Sequence, residues 1–340
     1  MKKLELVTRP KPSACSILIG ESFSNLGKHC EVEKIILVTD RNVIRAHREM
    51  LDGFRRIVIK SRESEKTSRT VNIVHRKLQE YGVDGSTMLL GVGGGIVTDI
   101  AGFVASTYHR GIPFAFAPTT LLAATDASIG GKNGVNLMGF KNQIGMIRQP
   151  RFCLIDFGFF DSLTETGIRC GIAEIVKHAA IADRNLFSYL EGNVDALLNL
   201  DPRVLEHTLH ASIAVKLAIV QRDEMERGER MRLNFGHTFG HAIESTCGVP
   251  HGFAISIGMA IEAGLSSKMG KLPEKERLRL VSLLERFGLP TSAKVERENI
   301  FKAIGMDKKR LQERIRIPVI EKIGQSALME IDLSELDLRK

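Results

Sequence analysis

An apolar run, Met88-Leu89-Leu90-Gly91-Val92, passes directly into Gly93-Gly94-Gly95, and this junction narrows the possible folds more than any other stretch. Followed by Ile96-Val97-Thr98-Asp99, it reads as a buried strand, a tight turn and the start of a helix. The pattern recurs through this half of the chain. Lys34 to Thr39 reads as a buried strand ending at Asp40, and Arg56-Ile57-Val58-Ile59 as another. Phe114-Ala115-Phe116-Ala117, closed by Pro118-Thr119-Thr120, and Phe152-Cys153-Leu154-Ile155 add two more. Between Ser68 and Tyr81 the apolar positions Val71, Ile73, Val74, Leu78 and Tyr81 follow helical spacing. Short apolar strands alternating with helices predict a parallel sheet covered by helices. After about Asp161 long helical patterns take over, at 167–182, 203–227, 236–246, 252–269 and 274–287. Near the C-terminus Ile315 to Ile320, Ile323-Gly324 and Ala327 to Ile331 predict a small hairpin, in which Pro318 argues for an edge strand. The expected organisation is α/β, with an α/β domain over 1–160 and a mainly helical domain over 161–340.

Composition excludes several classes. At 340 residues, 43% hydrophobic and 26% charged, the chain has the make-up of a globular protein with room for two domains. The net charge of +8 is spread along the sequence, and with no tryptophan and three tyrosines there is no interleaving of basic and aromatic residues. That favours a small anionic substrate over nucleic acid. Cys15, Cys30, Cys153, Cys170 and Cys247 are widely spaced and odd in number, which suggests neither a disulfide framework nor a cysteine metal site. Glu5 and Arg9 interrupt any apolar signal segment, and no run of eighteen apolar residues occurs, so a cytoplasmic protein without a membrane span is expected.

Three clusters carry chemistry. Glycines between a strand and a helix let backbone N–H groups approach a pyrophosphate, and Asp40 at an earlier strand end is placed to hold a ribose hydroxyl. Together these lean towards NAD and a Rossmann-like first domain. Between Tyr108 and Asn142 the residues Arg110, Asp126, Lys132, Asn133, Asn136, Lys141 and Asn142 crowd around Ser128-Ile129-Gly130-Gly131. A glycine-rich loop of that kind suits a substrate carrying a phosphate and several hydroxyls. Finally, Leu233-Asn234-Phe235-Gly236-His237-Thr238-Phe239-Gly240-His241 sets two imidazoles four apart on one predicted helix face, with His251-Gly252 supplying a third. A zinc protease would carry glutamate after the first histidine, where this chain has Thr238. Glu174 and Lys177 share a helix face, as an ion pair or as a carboxylate ligand with a neighbouring lysine.

These motifs resemble the 3-dehydroquinate synthases, within the sugar-phosphate cyclases. The similarity covers about Asp40 to Lys309 and is most specific in Gly93-Gly94-Gly95-x-x-x-Asp99, Tyr108-His109-Arg110-Gly111-Ile112-Pro113, Pro118-Thr119-Thr120-Leu121-Leu122-Ala123, Gly130-Gly131-Lys132-x-Gly134-Val135-Asn136, Ala173-Glu174-Ile175-Val176-Lys177 and Leu233 through His241. The resemblance implies zinc, or cobalt or another divalent ion, bound by Glu174, His237 and His251. It implies NAD held by Asp40, Glu63, Lys66, Gly93, Gly94, Gly95, Asp99, Thr119 and Thr120. It implies substrate contacts from Arg110, Asp126, Lys141, Asn142, Lys216, Arg230 and Lys308, and catalytic roles for Lys132, Lys177, Glu226, Asn234 and His241. On this reading His241 faces the substrate, leaving His237 as the helix's one ligand. Thr98, Asn133 and Phe253 depart from the family's usual glycine, threonine and glutamate. The implied reaction converts 3-deoxy-D-arabino-heptulosonate 7-phosphate to 3-dehydroquinate and phosphate. The expected partners are this sugar phosphate and a second copy of the chain in a homodimer.

Overall fold

The computed structural model describes residues 14–294 and 314–332. Among the described residues ten strands follow in chain order: β1 (Ser16–Ile19), β2 (Ile35–Asp40), β3 (Arg55–Ile59), β4 (Met88–Gly93), β5 (Phe114–Pro118), β6 (Lys132–Leu137), β7 (Phe140–Ile147), β8 (Phe152–Ile155), β9 (Arg314–Lys322) and β10 (Gln325–Asp332). Six of them form one sheet in the order β1-β8-β5-β4-β2-β3, and every adjacent pair is parallel. The central strands β2, β4 and β5 are buried along their whole length, which is why they read as unbroken apolar runs. Pairing of Gly93 with Pro118 and of Asp40 with Ile59 brings the strand C-termini to a common edge. In open parallel sheets ligands bind outside that edge.

The helices of this half are α1 (Arg41–Ala46), α2 (Ser68–Glu80) and α3 (Gly95–Thr107). Asp40 Oδ1 caps α1 by accepting from the N–H groups of Asn42 (2.7 Å) and Val43 (3.2 Å). The helical half contains α4 (Glu165–Ala182), α5 (Arg184–Gly192), α6 (Val194–Leu198), α7 (Pro202–Arg222), α8 (His237–Cys247), α9 (His251–Lys268) and α10 (Glu274–Arg286), followed by the antiparallel β9–β10 hairpin. Pro318 pairs with Leu328 in that two-stranded sheet, where both strands are edges.

Two expectations need correction, and one strand is not expected at all. The glycine-rich loop expected around Ser128 to Gly131 leads directly into an antiparallel hairpin, β6–β7, that holds Lys132, Asn133, Asn136, Lys141 and Asn142. Residues along β7 are mostly exposed, so no apolar alternation marks it. The helix expected over 203–227 ends at Arg222, because Asp223 turns the chain by accepting from the N–H groups of Arg227 (2.9 Å), Gly228 (2.8 Å) and Arg230 (3.0 Å). The edge strand β1 is not anticipated by the sequence pattern: it has four residues, pairs only with β8, and is only partly buried.

Candidate active site

A cavity of about 580 Å³ opens at the C-terminal edge of the sheet. Its walls include Asp40, Glu63, Lys66, Gly94, Gly95, Asp99, Thr119 and Thr120 from the α/β half, with Lys141 and Asn142 from β7 and His241, Glu244 and His251 from the helical half. The residues expected to hold a dinucleotide thus converge on the space into which the histidines face. Gly93 lies just behind, as the last residue of β4, where a Cβ would come within 2.6 Å of Val97. Lys66, 5% exposed, pairs with Asp99 and donates to Asn142 Oδ1 at 2.6 Å. Burial raises the Asp99 carboxyl to about 6, and the Lys66 charge offsets only part of that. Glu63 Oε1 accepts from Asn136 Nδ2 at 2.8 Å, tying the hairpin to this end of the cavity.

Glu174, on α4, is fully buried. The Lys177 ammonium, one turn along, sits in ion-pair contact with it. His237 Nε2 lies 3.6 Å and His251 Nε2 3.5 Å from Glu174 Oε1, and one donor atom from each residue falls within 4.8 Å of the others. Two ligands about 2.1 Å from one tetrahedral ion stand roughly 3.4 Å apart, so the arrangement fits a divalent cation. A carboxylate and two imidazoles leave coordination positions open, as in catalytic zinc sites. Burial raises the Glu174 carboxyl, but Lys177 and the two imidazoles outweigh it and hold the group well below the usual range. Burial and the Lys177 charge keep His237 neutral, the form that binds metal. Burial also opposes charge on His251, but its contacts with Glu174 and Glu244 prevail and raise it to about 9. That proton sits where a bound cation would replace it.

Deeper in, Asp126 Oδ1 accepts from Lys216 Nζ at 2.5 Å and lies 4.0 Å from Lys177 Nζ and 3.7 Å from His178 Nε2. Asp126, Glu174 and His178 also cluster, but the two ammonium groups already supply cations there. Burial pulls Lys216 below its ordinary value despite the carboxylate. Glu226 bridges Lys132, in ion-pair contact, and Asn234 Nδ2 at 3.3 Å. Arg230, 2% exposed, donates to the carbonyls of Glu224 (2.6 Å) and Gly130 (2.9 Å), so its fork fixes two loops. The perpendicular rings of His237 and His241 are 5.2 Å apart, and His241 lies on the cavity wall.

One expected residue is not brought to this site. Arg110 is exposed at the far end of α3, before β5 begins, at the sheet edge opposite the cavity. Lys308 lies outside the described residues. The departures from the family pattern have local explanations. Thr98 Oγ1 bonds back to the Gly95 carbonyl at 3.0 Å, and Asn133 Nδ2 closes the hairpin base by donating to the carbonyls of Gly131 (2.8 Å) and Arg148 (3.0 Å). Phe253 packs against the core. Glu244 is a cavity residue absent from the sequence expectations, although its spacing of three from His241 and seven from His237 was the available signal.

Residues 56–170 match the family described as 3-dehydroquinate synthase N-terminal, and 171–310 match 3-dehydroquinate synthase C-terminal. The chain belongs to the 3-dehydroquinate synthase family. A relative in the family, the 3-dehydroquinate synthase of Thermoanaerobacter pseudethanolicus, is 38% identical over 332 residues, covering 93% of each chain. Among solved structures, the 2-epi-5-epi-valiolone synthase of Streptomyces hygroscopicus subsp. jinggangensis, with NAD+ and Zn2+ bound, superposes with a TM-score of 0.89 at 27% identity over 98% of this chain and 97% of that one. A 2-deoxy-scyllo-inosose synthase gives 0.85 at 24% identity over 94% of each chain, a likeness of fold alone.

Proposed function

We propose that the chain is a 3-dehydroquinate synthase, a carbon–oxygen lyase that converts 3-deoxy-D-arabino-heptulosonate 7-phosphate to 3-dehydroquinate and phosphate. The carrying observation is the cavity lined both by the glycine turn after β4 and by His251, whose ring nitrogen clusters with Glu174 and His237. NAD would supply a transient hydride acceptor, and a divalent ion, zinc or cobalt, a Lewis acid for the substrate hydroxyl. On this reading Lys66, Asp99 and the N–H groups of Gly94 and Gly95 orient the dinucleotide, with Asp40 and Glu63 facing its ribose and Thr119 and Thr120 beside the pyrophosphate. Lys132, Asn142 and Lys141 meet the phosphate that leaves when the adjacent C–H bond breaks, the phosphate itself taking the proton. Lys177 and His241 stabilise or exchange protons on the oxygens where charge develops. Lys216, held by Asp126, and Arg230 pair with the carboxylate end, while Glu226 and Asn234 hold Lys132 in place. The substrate's own hydroxyls then complete the ring opening and aldol closure within the cavity, shielded from water.

Because the hydride is returned, the test is phosphate release without net NADH. Purified protein given the heptulosonate phosphate, NAD and zinc should release phosphate while absorbance at the NADH band stays flat. Steady NADH accumulation would instead indicate an alcohol dehydrogenase. Faster turnover of a sugar phosphate without a carboxylate would favour a sister cyclase of the valiolone or inosose type. A division near residue 160, a cytoplasmic location and a homodimer belong to the same proposal. Among the described residues no helix is long and apolar enough to cross a membrane. The homodimer is checked by light scattering on the eluted protein.

A further inference from the structure

Glu244 is the one carboxylate on α8 that shares the helix face of His237 and His241. Its side chain is 17% exposed and its two oxygens have different partners: Oε2 lies 3.2 Å from His251 Nδ1, and Oε1 accepts from Lys141 Nζ at 2.7 Å. His251 is therefore bracketed, with Nδ1 on Glu244 and Nε2 3.5 Å from Glu174 Oε1. An imidazole that donates from Nδ1 presents its Nε2 lone pair, and a carboxylate behind a ligand histidine fixes the tautomer and raises its basicity. His237 has an equivalent contact at 3.3 Å, but its partner is the Phe235 backbone carbonyl. One imidazole is oriented by the main chain and the other by a side chain that can be replaced.

The second oxygen extends the arrangement. Lys141 belongs to β7, in the α/β half, whereas α8 and α9 belong to the helical half. A single carboxylate thus touches a candidate metal ligand and the hairpin that walls the cavity.

We propose that Glu244 is a positioning residue, which holds His251 with its Nε2 turned towards Glu174 and keeps Lys141 of the β6–β7 hairpin beside the same site. The inference rests on reading Glu174, His237 and His251 as the metal ligands. The competing role is direct ligation, since donor atoms of His241, Glu244 and His251 also lie within 4.8 Å of one another.

The test is zinc uptake by the metal-free full chain, without substrate, in competition with a chromophoric chelator. Wild-type protein should bind one equivalent. Glu244→Ala should still bind one equivalent, about 10- to 100-fold more weakly, the usual effect of removing a carboxylate behind a ligand histidine. Glu244→Gln, whose amide oxygen can accept from Nδ1–H, should recover most of that loss, and folding of both variants is checked by circular dichroism. Nitrogen NMR of the zinc-loaded protein should show His251 protonated at Nδ1 in wild type and lose that signature in Glu244→Ala. Lys141→Met should change zinc affinity by less than about five-fold, the reach of a partly exposed ion pair. Wild-type zinc affinity in Glu244→Ala would overturn the proposal, as would complete loss of the zinc equivalent in that variant or an equal weakening in Lys141→Met. Wild-type protein that takes up no zinc would overturn the ligand reading instead, so the two failures are distinct.

Discussion

His47 and His178 lie outside the metal cluster, and each faces a hydroxyl in the interior. His47, 9% exposed, has Nε2 2.9 Å from Ser162 Oγ and its ring edge-on to Phe159. His178, fully buried, has Nδ1 2.8 Å from Ser212 Oγ. Burial lowers both below the ordinary imidazole value. Such a group stays neutral in the folded chain and takes up a proton on unfolding once the pH falls below the unfolded value near 6.5. Its stabilisation is therefore complete above that pH and is lost as the pH falls. His47→Asn, which preserves a partner for Ser162, should flatten the decline in stability between pH 7 and 5 by up to about 1.4 kcal/mol per pH unit. Denaturant melts at three pH values measure it, and an unchanged slope would contradict the assignment. At the metal cluster, His237→Ala should abolish zinc binding, while His241→Ala should retain the ion and lose turnover. Equal loss of metal in both variants, read by elemental analysis, would show that the ligands are misassigned.

At the scale of elements, the pair α8 and α9 decides how close the imidazoles come. A Cβ on Gly258 would lie 1.9 Å from the Gly236 carbonyl oxygen, directly beneath the residue that starts α8. Gly236 itself has φ +80° and donates its N–H to the buried Glu262 Oε2 at 2.8 Å, which fixes where His237 enters the helix. Gly258→Ala should therefore separate the helices, cost about 3 kcal/mol or more, and weaken zinc binding. Gly264, in the same helix, is the control, because a methyl group there would meet nothing within 4 Å. Gly264→Ala should stabilise by about 0.5–1 kcal/mol, because only backbone freedom in the unfolded chain changes. Thermal melts of the two variants should move in opposite directions, and a shift of the same sign would refute the packing argument.

For the whole molecule, the two halves are joined by a shared interior. One hydrophobic cluster runs from Phe23 through Phe116 and Ile172 to Leu284 and Ile323, crossing the boundary expected near residue 160. Polar ties reinforce it, among them Lys216 with Asp126, Arg230 with the Gly130 carbonyl, Gln149 with Glu224 and Lys141 with Glu244. We expect a single unfolding transition, coincident by far-ultraviolet circular dichroism and tyrosine fluorescence. Two separated transitions would mean that the halves fold independently. The sequence alone determined the strands β2, β4, β5 and β8, because burial on both faces writes an unbroken apolar run, and it determined most of α4, α8, α9 and α10 through helical spacing. Its motifs also named Glu174, His237 and His251, through a resemblance that local spacing could not replace, since spacing made His237 and His241 equivalent. Only the tertiary structure decided that 132–147 is a hairpin, that Arg110 lies at the opposite sheet edge, and that Glu244 stands between His251 and Lys141. An exposed hairpin leaves no hydrophobic signature, and contacts between residues a hundred positions apart are set by how helices pack, which no local pattern records.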